Sequence, residues 1–349
     1  MKNMISYVIM TSSFYEGFSS LPNEIKREEI LPRIPPSSRL ILRHTLLNVP
    51  LPESLSEEME FDIINNNLWH FFWNKLDKET ICKRAALRGN LFCLLYARKK
   101  KCSWDVKRMC WDAAKGGSLA CLVYCHEQGC SIRYTGNSAA TGGSLPCLQY
   151  AKEKGDSIDV HTMGNAARSG SIECIQYMRS IGCPWDIYTS AGAANGGHLL
   201  CLEYLLDNGC PVDEYACTSA ASGNSLACLI YLRQRNCSWK EKLILSWAAR
   251  EGALECIQWA VDNGCSWDES TCAAAAQEGQ LQCLMYLREK GCPWDERTCA
   301  YAGMADRIEC LRYARENGCP WSSMTYRMTL THGSKECLQY LRENGCPQT

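Results

Sequence analysis

Residues 270–295, STCAAAAQEGQLQCLMYLREKGCPWD, are one copy of a unit that recurs through most of the 349-residue chain. Cys272, Ala275 and Ala276 fall at i, i+3 and i+4, the narrow apolar stripe of a helix. Ser270 reads as the cap of that helix and Thr271 as its opening residue. Gly279 ends it, because glycine takes the positive φ of a tight turn without penalty. Leu281, Cys283, Leu284 and Leu287 then form the inward face of a second helix, which closes at Gly291. The two helices are helix A and helix B of the unit, and Cys292-Pro-Trp-Asp295 leads to the next one.

The unit recurs every 26–28 residues, anchored on Cys93, Cys121, Cys147, Cys174, Cys201, Cys228, Cys256, Cys283, Cys310 and Cys337. A second cysteine follows each anchor by nine residues, with Asp156 the one exception, and a third set precedes five anchors by eleven. A fixed period of this length means a solenoid, in which each unit buries its apolar side against its neighbours. The expected fold is all-α, a right-stacked helix-turn-helix array of about ten 27-residue repeats. Residues 1–15 read as an N-terminal tail, 16–50 as a separate segment, 51–75 as a helical linker or cap, and 76–349 as the array. The last unit, with Thr329-Leu330 in place of the usual Ala-Ala, reads as a terminal cap.

The 25 cysteines do not imply a disulfide framework. Stacked helices lie ~8–10 Å apart, and a disulfide needs Cα atoms within about 7 Å. There is no Cys-x-x-Cys pair for zinc, so Cys reads as a small buried hydrophobe in a slot that Val or Ala would also fit. Trp104, Trp185, Trp239, Trp267, Trp294 and Trp321 recur in the connecting loop; Ile132, Ile158 and Val212 take the same place, which favours packing over ligand stacking. With 37 basic and 38 acidic residues, the composition argues against electrostatically driven nucleic-acid binding. No apolar run approaches the ~20 residues that span a bilayer. The six histidines share no register, and no nucleophile–base pair, carboxylate pair or phosphate loop stands out. The expectation is a binding protein of a reducing cytoplasm, with no catalytic residues, cofactor, metal, nucleic-acid or membrane partner.

The phrase Ala-Ala-x-x-Gly-x-Leu-x-Cys-Leu-x-Tyr-Leu-x-x-x-Gly-Cys resembles the two-helix centre of the ankyrin repeat, over residues 76–349. The period is 27 rather than 33, so the long β-turn fingers of that family are absent. The variant looks like the Cys-Pro-Trp-rich ankyrin proteins of large DNA viruses and some protists. The resemblance implies a protein target held on the helix A face, at positions nine, six and five residues before each anchor. These include Arg84, Leu87, Arg88, Asp112, Lys115, Asn165, Arg168, Trp247, Arg250, Glu251, Tyr301 and Met304. Residues 21–47 resemble an F-box through Leu21, Pro22, Ile25, Ile30, Leu31 and Ile34. That resemblance implies docking on the Skp adaptor of a cullin–RING ubiquitin ligase, with the repeats recruiting the substrate. The same stretch reads equally as a short helical cap on the first repeat, which leaves a scaffold or inhibitor without ubiquitin chemistry.

Overall fold

A computed structural model describes residues 77, 80–238 and 240–348. The F-box-like stretch, the aromatic segment 65–74 and Trp239 lie outside the described residues. The described residues are all-α, a run of helix-turn-helix repeats with no strand among them. They divide into two compact units, one ending at Ser157 and one beginning at Ile158.

The first unit holds repeats 1–3: α1 (Ile81–Leu87), α2 (Leu91–Lys99), α3 (Met109–Lys115), α4 (Leu119–Glu127), α5 (Thr135–Thr141) and α6 (Leu145–Glu153). The second holds repeats 4–10. Its A helices are α7 (Val160–Arg168), α9 (Ile187–Asn195), α11 (Glu214–Ser222), α13 (Glu241–Glu251), α15 (Glu269–Glu278), α17 (Glu296–Met304) and α19 (Ser323–His332). Its B helices are α8 (Ile172–Ser180), α10 (Leu199–Asp207), α12 (Leu226–Gln234), α14 (Leu254–Asp262), α16 (Leu281–Glu289), α18 (Ile308–Glu316) and α20 (Lys335–Glu343). In each unit A stacks on A and B on B, and each A folds back on its own B.

The Ala pairs make this stacking possible. Ala85-Ala86 through Ala275-Ala276 are fully buried, and so are the anchor cysteines with the Leu or Ile that follows them in repeats 1–9. The A helices approach so closely that some of their backbones touch. A Cβ placed on Gly142 would lie 2.3 Å from the Lys115 carbonyl oxygen, and one on Gly223 1.9 Å from that of Asn195. Five residues before the anchor is therefore a packing position in those repeats, which corrects its reading as part of an open face. The turn glycines Gly252 and Gly279 adopt φ of 77° and 78° as expected. Gly333 does not: its φ is −85°, and the last repeat closes by an extended step. In repeat 9 Asp306 takes the left-handed place itself, at φ 58°.

In the second unit helix A begins earlier than the sequence suggests. In repeat 8 the cap is Asp268, not Ser270; its carboxylate accepts the Ser270 N–H at 3.0 Å, and α15 opens at Glu269. In the second unit the final residue of Cys-Ser/Pro-Trp-Asp is thus the cap of the next helix, whereas after Asp105 in the first unit the N-cap residue is Arg108. Asp159, Asp186, Asp213 and Asp295 act alike, and Asp159 and Asp186 form full capping boxes with Thr162 and Thr189.

The loop cysteine has a specific task as well. The Cys319 Sγ donates to the Asp295 carbonyl at 3.2 Å, Cys237 to that of Asp213 at 3.2 Å, and Cys292 to that of Asp268 at 3.6 Å. Each bond ties the end of a repeat to the start of its own helix A. The Cys210 thiol, which donates to the Asp186 carbonyl at 3.5 Å, is pushed up to about 12 by burial and so keeps the proton it donates. Val or Ala would fill the slot without supplying that donor, which corrects the reading of Cys as only a small hydrophobe. The thiols that meet are also a pairing the spacing argument does not weigh, helix A with loop: Cys110 with Cys130, Cys217 with Cys237, Cys272 with Cys292, and Cys299 with Cys319. All 25 cysteines are free and buried.

The loop tryptophans are packing elements. The guanidinium of Arg288 lies 4.3 Å over the Trp294 ring while Nη1 donates to the Cys292 carbonyl at 3.2 Å. On its other side Trp294 meets Tyr313 at 6.3 Å between centroids. Arg98 and Arg315 cover Trp104 and Trp321 in the same way, with Tyr124 and Tyr340 beside them. No free aromatic platform remains at these three positions.

Candidate binding groove

The row of residues nine places before the anchor reads Trp247, Ala274, Tyr301 across repeats 7, 8 and 9. A methyl group between two large rings leaves a depression in an otherwise close-packed face. The structure shows it as a groove of about 250 Å³ across α13, α15 and α17. Trp247 and Tyr301 form its walls. Ala273, Ala274 and Ser270 form its floor, and Ser246, Arg250, Gln277 and Arg297 complete the lining. A shallower hollow of about 640 Å³ adjoins it at Ser246 and Ser270 and is bordered by Lys240, Glu241, Lys242 and Leu243.

The charges around the groove are neutralised within the fold. Arg250 lies 5.5 Å over the Trp247 ring, donates to Gln277 Oε1 at 3.2 Å and pairs with Glu278 at 3.6 Å. Arg297 pairs with Asp295 at 2.7 Å, which holds the guanidinium over the start of α17. Lys242 reaches Asp268 at 3.5 Å, and the Ser266 N–H and hydroxyl donate to Glu241 at 3.0 and 2.9 Å. The lining that remains is aromatic and methyl carbon with a few serine and amide dipoles. Such a surface takes an apolar side chain and positions its backbone by hydrogen bonds. It holds no acid–base pair aimed at a common point, and no cluster of three or more metal-ligating side chains occurs among the described residues.

Of the residues expected on the helix A face, the structure brings Trp247, Arg250 and Tyr301 together in this groove. Glu251 is exposed at the end of α13, and Met304 is half-buried in the last turn of α17; neither lines it. Arg168 is exposed at the end of α7. Arg84, Leu87, Arg88, Asp112 and Lys115 belong to the first unit, on α1 and α3 or just after. There burial raises the Asp112 carboxyl above its ordinary range, against the opposing pull of Lys83, Arg108 and Lys115. Sequence reasoning missed Ser246, Ser270, Ala273, Ala274, Gln277 and Arg297. The signal for the floor was present: the small residue between Trp247 and Tyr301 appears once the repeats are read across rather than along the chain.

No family model and no curated protein matches the chain. Among solved structures it is similar to the human ASB11 ankyrin repeat domain, 22% identical over 45% of this chain and 84% of that one, with a TM-score of 0.35.

Proposed function

We propose that the protein is a protein-interaction module whose second unit grips an apolar side chain of its partner in the groove of repeats 7–9. The observation that carries this is the Trp247–Ala274–Tyr301 row, two half-covered rings around a methyl floor on a repeat face of mostly small or polar residues. Aromatic walls of this kind are the usual anchors of binding energy. The test is selection of a displayed peptide library on the wild-type protein and on Ala274→Trp, which fills the groove without touching the buried Ala pair. Peptides sharing an apolar anchor, with binding weakened at least about tenfold by Ala274→Trp, are expected. If selected peptides ignore this substitution, the groove is not the site.

The finer reading is a substrate receptor for a cullin–RING ubiquitin ligase in a reducing cytoplasm. It is supported by the F-box-like sequence at Leu21, Pro22, Ile25, Ile30, Leu31 and Ile34, and by 25 unbonded thiols. Capture of the Skp adaptor by the full-length chain, lost in Leu21→Asp/Ile25→Asp, is the expected result. Absence of capture leaves the module acting by occupancy alone.

A further inference from the structure

The near-neutral charge of the whole chain hides an asymmetry. Residues 80–157 carry 13 Lys and Arg against 5 Asp and Glu, net +8, while residues 158–349 carry 16 against 22, net −6. The difference is concentrated where helix B ends and the next helix A begins, so these groups share one edge of each stack. On that edge of the second unit four cations have carboxylate partners: Arg235 with Asp207, Lys240 with Glu214, Lys242 with Asp268 and Arg297 with Asp295. On the same edge of the first unit Lys99, Lys101, Lys107, Arg108, Lys152 and Lys154 are all exposed, and among the described residues none has a carboxylate within ion-pair distance. Lys154 lies over the Tyr150 ring, but none of the six charges is offset by such a carboxylate, and their mutual repulsion works against the fold.

We propose that this edge of repeats 1–3 is a second interaction surface, which binds an acidic segment of a partner protein. Three repeats at the ~8–10 Å helix spacing offer a track roughly 25 Å long, matching about eight extended residues. Two features favour a peptide over a nucleic acid. The rings near this edge already carry their own cations: Arg98 over Trp104 at 4.1 Å, Lys100 over Tyr96 at 5.5 Å, Arg133 over Tyr134 at 5.0 Å and Lys154 over Tyr150 at 5.4 Å. Bases would have to displace these cations to stack. The unpaired groups are also mostly lysines, mobile point charges that suit a flexible run of carboxylates and lack the planar fork of arginine. Both features leave long-range attraction as the main source of binding, so the interaction is fast and salt-sensitive.

The test uses the full-length protein and a fluorescein-labelled 12-residue peptide of alternating Glu and Ser, followed by anisotropy. Lys–Ser peptide and 12-nucleotide oligouridylate and oligothymidylate are the comparison probes. The Glu–Ser peptide is expected to bind, to lose about tenfold in affinity between 50 and 200 mM salt, and to lose at least as much in Lys99→Glu/Lys101→Glu/Lys107→Glu/Lys152→Glu. A Lys→Gln version at the same four positions, checked by circular dichroism, separates loss of charge from loss of fold and is expected to bind with intermediate affinity. Absence of Glu–Ser binding, binding unchanged by the Gln variant, or preference for either oligonucleotide overturns the proposal. Salt-dissociated self-association that the Gln variant abolishes would assign the edge to a second copy of the chain and overturn it as well.

Discussion

The A helices of the two units are built on the same Ala pairs but begin differently. In repeats 1–3 each is seven residues long, and none is capped by the side chain of its own N-cap residue, which is Thr80, Arg108 or Tyr134. In repeats 4–10 they run nine to eleven residues, and all but α13 have a capping Asp or Ser. In α7, α9, α11, α15 and α17 an Asp at the end of the connecting loop accepts otherwise orphaned N–H groups, and the helix starts about half a turn sooner than in repeats 1–3. Helix α13 starts as early without such a cap. Repeat 3 shows the rule by its exception. Its loop ends in Arg133 instead of Asp, Tyr134 takes φ 63°, and the missing acceptor comes from Asp156 at the far end of the repeat. The Asp156 carboxylate accepts the Tyr134 N–H at 2.8 Å and the Gly136 N–H at 2.6 Å. Asp156 stands where the other repeats keep the loop cysteine, and Gly136 where five of them have a helix A cysteine, which in four meets this thiol; without a side chain at 136 the carboxylate reaches the backbone. The donor has become an acceptor, and the repeat still closes on itself.

The largest effect should come from breaking that substitute. Asp156→Ala removes both bonds from a buried site and should cost about 2–4 kcal/mol, read by urea unfolding and by faster hydrogen exchange in α5. Restoring the usual arrangement with Arg133→Asp/Asp156→Cys should recover at least half of the loss. If the double variant is no more stable than Asp156→Ala, the cap and the loop residue are not exchangeable parts of one device.

Removing a local cap should cost less. Asp295→Ala leaves α17 buried against its neighbours but frees the Arg297 N–H, for about 1 kcal/mol. Cys319→Ala, which deletes the thiol donor to the Asp295 carbonyl, should cost about as much, through the lost bond and the small void. The two residues serve the same helix start, so the double variant should fall short of the sum of the single ones, a coupling that a double-mutant cycle in urea measures directly.

What could be read from the sequence follows from how local the cause is. The period, the Ala pairs and the left-handed glycines each depend on a few neighbouring residues, and they were legible. The aspartate caps were legible in principle, because Asp before a helix is a strong signal, but Cys-Pro-Trp-Asp reads as a loop so readily that Ser270 took the role belonging to Asp268. The bond from Cys319 to Asp295, the Asp156 substitution and the groove floor at Ala274 join residues 20 or more positions apart. They emerge only when equivalent places in the repeats are superimposed. The unpaired edge of repeats 1–3 was concealed by arithmetic: summing the charge over 349 residues cancelled it.

The smallest expected effect distinguishes the units by the sign of their response to acid. In the second unit the Ser270 hydroxyl, outweighing burial and joined by the Ser270 N–H and Lys242, holds the Asp268 carboxyl below its ordinary value of 3.8. A depressed folded-state value means that its stabilisation is present above 3.8 and is lost as pH falls through the lower value. Asp112 in the first unit is shifted the other way, so its charge costs stability at neutral pH. That cost is relieved as pH falls through its raised folded-state value, and the relief is complete below 3.8. From pH 7 towards 4, protection of α3 against hydrogen exchange, corrected for intrinsic rates, should rise while that of α15 holds. Below 4 the protection of α15 should fall. Asp112→Asn should abolish the rise in α3 and leave α15 unchanged. A rise that survives the substitution would place the titrating group elsewhere in the first unit.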